Sequence, residues 1–72
     1  MKITKIERGV KPTPEQHRAL SGFDQVELKA TTDSHSDPAI EATFNITDGY
    51  KVHVVINEAG MLRDVSMEVP SL

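Results

Sequence analysis

With 72 residues the chain fits a single domain, residues 1–72, and a domain this small buries only about 60% of the surface of its unfolded chain. It has no cysteine, which excludes disulfides and thiolate metal sites and favours a reducing, cytoplasmic location. A net charge of −3 with 4% aromatic residues argues against a nucleic-acid partner, and no apolar run is long enough to span a membrane.

The charges are unevenly distributed along the chain. The first eleven residues contain Lys2, Lys5, Arg8 and Lys11 against Glu7, a net charge of +3, and the remaining residues carry −6. This basic segment indicates contact with nucleic-acid phosphates as one alternative function. The more common explanation is an edge strand whose lysines prevent pairing with other chains.

The N-terminal part predicts an optional short strand at about 2–8 and a short helix at about 14–21. Ile3 and Ile6 are three residues apart rather than two, so the strand alternation is poor. In the helix we predict Thr13 as N-cap, Pro14 as the first helical residue, and Gln16 as the partner of Thr13 in a capping box. The apolar residues expected to dock this helix are Val10, Ala19, Leu20 and Phe23.

From Val26 onward the apolar residues alternate with polar ones, which predicts strands at about 24–31, 39–46, 50–57 and 61–69. The segment TTDSHSDPA between the first two is rich in turn-forming residues and predicts a long surface loop. The predicted fold class is therefore α+β: a four-stranded antiparallel meander with one short N-terminal helix.

The register of the central hairpin follows from parity, because residues directly opposite each other on antiparallel strands point to the same face. A two-residue turn at 48–49 pairs Phe44 with His53, an apolar residue with a polar one. A three-residue loop at 47–49 pairs Phe44 with Val52 and makes every pair of that face apolar. We therefore predict the three-residue loop, with Phe44 and Val52 facing the core.

The same test predicts a four-residue loop at 57–60, which pairs Val52 with Val65, sets Arg63 opposite Val54, and makes Met61 and Met67 core residues. The sheet then has one apolar face. A helix about 10 Å wide cannot cover four strands spaced about 4.8 Å apart. We expect either the N-terminal strand and loops or a second copy, in a homodimer, to cover the rest.

On the outer face this register places Thr43, His53 and Asp64 side by side, and Val55 opposite Leu62. A hydroxyl, an imidazole and a carboxylate in a row suggest a catalytic triad, but an exposed sheet without a pocket favours an ordinary cross-strand polar pair. An apolar centre with a polar rim is typical of protein interfaces. The predicted interaction surface consists of Glu41, Thr43, His53, Val55, Leu62 and Asp64.

No motif in the chain indicates a cofactor, a metal or a nucleophilic active site. The run Asp33 to Asp37, DSHSD, has one histidine and lacks the second ligand pair of a zinc site. We therefore expect a non-enzymatic protein–protein interaction domain, such as an adaptor or an inhibitor of a larger protein, of the kind found among bacterial or phage accessory proteins. The alternatives are a homodimer that binds a small ligand or catalyses in a cleft between subunits, and nucleic-acid contact through the N-terminal segment.

Overall fold

A computed structural model describes residues 1–71. Its elements in chain order are β1 (Lys2–Ile6), α1 (Pro14–Leu20), β2 (Gln25–Thr32), β3 (Pro38–Thr47), β4 (Tyr50–Asn57) and β5 (Leu62–Glu68). The strands form one sheet in the order β1-β2-β3-β4-β5. The predicted α+β meander with one short helix is confirmed, although the sheet has five strands rather than four. None of the helices in residues 1–71 is long and apolar enough to cross a membrane.

The fifth strand, β1, lies at the edge of the sheet and is parallel to β2, with α1 in the connection between them. Ile3 is opposite Val26 and Ile6 is opposite Leu28, with an irregularity in the register between Ile3 and Lys5. One extra residue in β1 therefore lets two isoleucines that are three positions apart meet partners that are two apart. A bulge of this kind explains why the alternation of β1 is poor in the sequence.

Helix α1 begins as predicted. The Thr13 hydroxyl accepts a hydrogen bond from Gln16 N–H, and Gln16 Oε1 accepts one from Thr13 N–H, so both halves of the capping box are present. Of the predicted docking residues, Leu20 is buried in the core, and Val10 and Phe23 pack against it. Ala19 is exposed, contrary to prediction, and Gln16 takes the inward position instead.

The predicted register of the central β3–β4 hairpin is confirmed over most of its length, and core residues of β2 pair with core residues of β3 in the same way. Leu28 is opposite Ala42, and Phe44 is opposite Val52. The tip of the β3–β4 hairpin differs, because Thr47 is opposite Tyr50 and the register shifts between Asn45 and Thr47. The extra residue that parity requires therefore lies within the strand, next to a two-residue turn, and the predicted three-residue loop is wrong. The loop between β2 and β3 is also shorter than predicted, since β2 continues to Thr32 and β3 begins at Pro38.

The predicted register of β4 and β5 is wrong. Val65 is opposite Val54 rather than Val52, and the register shifts again between Val55 and Ile56. Arg63 has no opposite residue at this shift, and its Nε lies 3.5 Å from Asp33 Oδ2. Arg63 therefore does not lie opposite Val54 as predicted. It lies at the register shift and pairs with the Asp33 carboxylate of the loop between β2 and β3.

The core lies between the sheet and α1. Its buried members are Leu20, Val26, Leu28, Ile40, Ala42, Val54 and Ile56. Phe44 and Val52 pack against this cluster as predicted, and the rings of Phe23 and Phe44 lie 4.2 Å apart. Met61 and Met67 were predicted in the core, but both are more than half exposed. The apolar face is therefore covered toward β2 and β3 and open toward β5.

Candidate functional site

On the outer face of the sheet, polar side chains from four neighbouring strands contact one another. His53 Nδ1 lies 2.9 Å from Thr43 Oγ1 and 3.1 Å from Glu41 Oε1. His53 Nε2 lies 3.7 Å from Glu68 Oε1, and Lys29 Nζ lies 3.7 Å from Glu41 Oε1. This arrangement links β2, β3, β4 and β5 through side chains that satisfy one another.

The structure brings together only part of the predicted interaction surface. Glu41 and Thr43 both contact His53. Asp64 is opposite Val55 rather than His53, which is opposite Ser66. Leu62 is opposite the core residue Ile56, so the predicted Val55–Leu62 pair on the outer face is wrong. Because the register shifts at Arg63, Leu62 and Asp64 lie on opposite faces of the sheet. Strict alternation would place both on the same face, and counting residues in the sequence cannot reveal the shift.

The contacts of His53 do not have the arrangement of a hydrolytic triad. In a triad one ring nitrogen takes the proton of the hydroxyl, and the other is held by a buried carboxylate. Here the carboxylate of Glu41 and the hydroxyl of Thr43 are both within reach of the same nitrogen, Nδ1. The second nitrogen faces Glu68, whose side chain is 62% exposed. The arrangement supports cross-strand stabilisation of the sheet.

The loop between β2 and β3 is organised by Asp33. Its Oδ1 accepts hydrogen bonds from the backbone N–H of Asp37 at 3.0 Å and of His35 at 2.8 Å. The bond from Asp37, followed by the bond from His35 and the nearby Arg63, lowers the pKa of Asp33 from its usual value, although burial opposes this shift. In residues 1–71 no group of three or more His, Asp or Glu side chains is placed to hold a metal ion. The two backbone hydrogen bonds give Asp33 a structural role in shaping the loop.

The strand β5 presents a second, apolar surface on the opposite face. Leu62, Val65 and Met67 are opposite Ile56, Val54 and Val52, so they lie on the core-facing side. They nevertheless remain 60%, 54% and 56% exposed. We call these three residues the β5 apolar row. Met61, just before β5, and Val69, just after it, are also more than half exposed.

The β5 apolar row is open because of where α1 is attached. Gln16 Nε2 donates to the carbonyl oxygens of Ile56 and Asn57, and the Thr13 hydroxyl donates to Glu58 O. These bonds hold the start of α1 at the C-terminal end of β4. Leu20, at the end of α1, belongs to the same buried cluster as Val26 and Leu28 of β2. A helix of seven residues is about 10 Å long, so this path leaves β5 uncovered.

The exposure of Val65 and Met67 was missed at the sequence level, although a signal for it was present. One helix of two turns cannot cover the face, but nothing in the sequence states which strand stays open.

The basic residues Lys2 and Lys5 lie on the edge strand β1, and both are exposed. Contact of this segment with nucleic acid stays a prediction. Comparisons with protein-family models, curated proteins and solved structures found no match for this chain.

Proposed function

We propose that this chain is a small non-enzymatic protein-binding domain whose contact surface is the β5 apolar row. The observation that carries the proposal is the exposure of Leu62, Val65 and Met67 on the core-facing side of a sheet. Contiguous exposed apolar side chains that continue a hydrophobic core are typical of protein interaction sites. The outer face suits this role less well, because His53, Glu41 and Thr43 already bond one another.

The energy available from this surface favours a weak, reversible contact. Five large apolar side chains in or next to β5 are 54–64% exposed, namely Met61, Leu62, Val65, Met67 and Val69. Full burial of such a side chain contributes about 1.5–3 kcal/mol, so covering the exposed halves of all five contributes about 4–8 kcal/mol. A partner adds a similar gain, and association costs about 4–15 kcal/mol. Because the gain and the cost are of similar size, we do not expect a tight complex from this row alone.

The polar side chains of β5 support the use of this face rather than the free edge. Asp64 Oδ1 accepts a hydrogen bond from Val65 N–H at 2.9 Å, so a backbone donor in the middle of the strand is already occupied. An added strand would have to compete with this bond. Asp64 is opposite Val55 and Glu68 is opposite Lys51, so both carboxylates belong to residues of the outer side. The remaining charged residue of β5, Arg63, lies at the register shift between Leu62 and Val65, and its Nε is 3.5 Å from Asp33 Oδ2.

The proposal can be tested by site-specific photo-crosslinking in the cells that produce the chain. A benzoylphenylalanine in place of Met67 should give a strong crosslinked product after irradiation. The matched control carries the same photoreactive residue in place of Ser66, which neighbours Met67 in β5 but points to the outer face. If position 66 crosslinks as well as position 67, or if neither does, the β5 apolar row is not the contact surface.

A further inference from the structure

We infer that Asp48 is a site of spontaneous modification, at which the bond between Asp48 and Gly49 is converted into an isoaspartyl bond through a succinimide ring. Both residues belong to the exposed turn between β3 and β4, where Thr47 is opposite Tyr50. The inference is independent of the proposed contact surface, which lies on β5.

The reaction requires only the chain itself and water. The nitrogen of Gly49 attacks the side-chain carbon Cγ of Asp48 and forms a C–N bond, while the carboxyl hydroxyl leaves with the amide proton as water. A second water then opens the ring. Cleavage of the bond to Cγ restores aspartate, whereas cleavage of the bond to the main-chain carbonyl carbon gives isoaspartate. The product has the mass of the original chain and one extra main-chain atom in the turn.

Both reacting groups are free in the folded chain. Within residues 1–71 the Asp48 carboxyl group takes part in no hydrogen bond or ion pair, and the Gly49 N–H donates no hydrogen bond. The two groups can therefore approach each other without breaking such a bond. The turn is exposed, so the water that opens the ring reaches it.

The fold requires glycine at the position whose nitrogen attacks. Gly49 has a φ of +77°, and a Cβ at this position would lie 2.8 Å from Pro70 Cβ. Any other residue would be strained and would collide with Pro70. Glycine is also the residue that hinders the attack least, because it has no side chain. The conformation of the turn therefore keeps the reactive pair in place.

The structure distinguishes Asp48 from Asp33, which precedes the small residue Ser34 and is the next candidate in the sequence. Asp33 Oδ1 accepts hydrogen bonds from Asp37 N–H at 3.0 Å and from His35 N–H at 2.8 Å. The bond from Asp37, followed by the bond from His35, lowers the pKa of Asp33, although burial opposes this shift. An ionised carboxylate has no hydroxyl to lose as water, and both bonds hold this one in place. Asp33 is therefore protected.

The remaining aspartates are hindered by the residues that follow them. Asp37 precedes a proline, which has no N–H to lose. Val65 follows Asp64 and is β-branched, and its N–H already donates to Asp64 Oδ1 at 2.9 Å. Gln25 follows Asp24, carries a long side chain and begins β2. Of the aspartates in the chain, only Asp48 combines an unhindered neighbour with a free carboxyl group.

The test is incubation of the folded full chain in warm, mildly acidic buffer, followed by tryptic digestion and electron-transfer fragmentation, which locates isoaspartate. Trypsin cleaves after Lys29 and Lys51, so the peptide 30–51 contains both Asp48 and the internal reference Asp33. We expect a form that is lighter by one water, then isoaspartate at position 48, with Asp33 unchanged. Asp48→Glu should lose the product, because glutamate would have to close a larger ring.

A parallel incubation in concentrated urea removes the hydrogen bonds that protect Asp33. We expect isoaspartate to form there at both positions, so that the selectivity for Asp48 over Asp33 is greater in the folded chain. Samples are compared at the time when the unfolded chain has formed isoaspartate at position 48. Absence of this product from the folded chain at that time, or equal amounts at Asp33 and Asp48 in the folded chain, overturns the inference.

Discussion

Gln16 is the polar side chain on which the docking of α1 depends most. It is 2% exposed, its Oε1 accepts a hydrogen bond from Thr13 N–H at 2.8 Å, and its Nε2 donates to Ile56 O at 3.2 Å and to Asn57 O at 3.1 Å. Gln16→Leu keeps a side chain of similar size and removes all three bonds. Asn57 O retains a bond from Gly60 N–H, so the loss falls mainly on Ile56 O and on the cap.

The expected cost can be estimated from these bonds. A buried carbonyl left without a partner costs about 1–3 kcal/mol, and loss of the bond from Thr13 N–H to the Gln16 side chain costs about 1 kcal/mol. The sum is about 2–4 kcal/mol, a large part of the roughly 4–11 kcal/mol expected for a domain of this length. For a domain of this size, 1 kcal/mol corresponds to about 4–8 °C, so the melting temperature should fall by roughly 10–30 °C.

The assay is thermal and urea unfolding followed by far-UV circular dichroism. His17→Leu is the matched control, because His17 is the next residue of α1 and is exposed, so its change should stay within about 0.5 kcal/mol. Equal stability of the Gln16→Leu and His17→Leu variants would refute the reasoning, since it would mean that α1 does not depend on its bonds to β4.

Three further substitutions test other parts of the structure. Gly60→Ala should lower the free energy of unfolding by at least about 1 kcal/mol more than Gly9→Ala. Both glycines have a positive φ, but only at Gly60 would a new Cβ lie 2.7 Å from a backbone oxygen of α1. Equal midpoints of urea unfolding for the two variants would contradict this. Because the pKa of Asp33 is lowered by folding, its stabilisation is present above pH 3.8 and is lost as the pH falls through the folded pKa. Asp33→Asn should therefore flatten the acid limb of the stability profile, and an unchanged limb would refute this role. Phe44→Ala should lower the free energy of unfolding by about 2–4 kcal/mol, and Thr43→Ala should change it little. A larger loss for Thr43→Ala in chemical unfolding would show that the two faces of the sheet are inverted.

The sequence predicted the parts of the fold that follow from local chemistry. Thr13, Pro14 and Gln16 form a capping box whose spacing is independent of the rest of the fold, and the structure has the helix there. The apolar alternation of β3 and β4 fixed the pairing of Phe44 with Val52, because any register of opposite parity exposes one of them.

What the sequence did not predict depends on single extra residues. The irregularities near Thr4, Ile46 and Arg63 each shift the register by one residue, and counting residues assumes that none exist. The error near Arg63 moved Leu62 to the wrong face and Asp64 next to the wrong neighbour. It thereby changed the candidate surface, although the signal of an uncovered apolar face was present. Which strand stays open depends on the bonds of Gln16 to β4, which are tertiary contacts.

The open apolar face of β5 can be tested most directly by NMR, from the broadening of methyl signals by a soluble nitroxide. We expect the methyl groups of Leu62, Val65 and Met67 to broaden strongly, because these side chains are 54–60% exposed, and those of Leu20 and Leu28 to be protected. Equal protection of Met67 and Leu20 would contradict the open face on which the proposed contact surface depends.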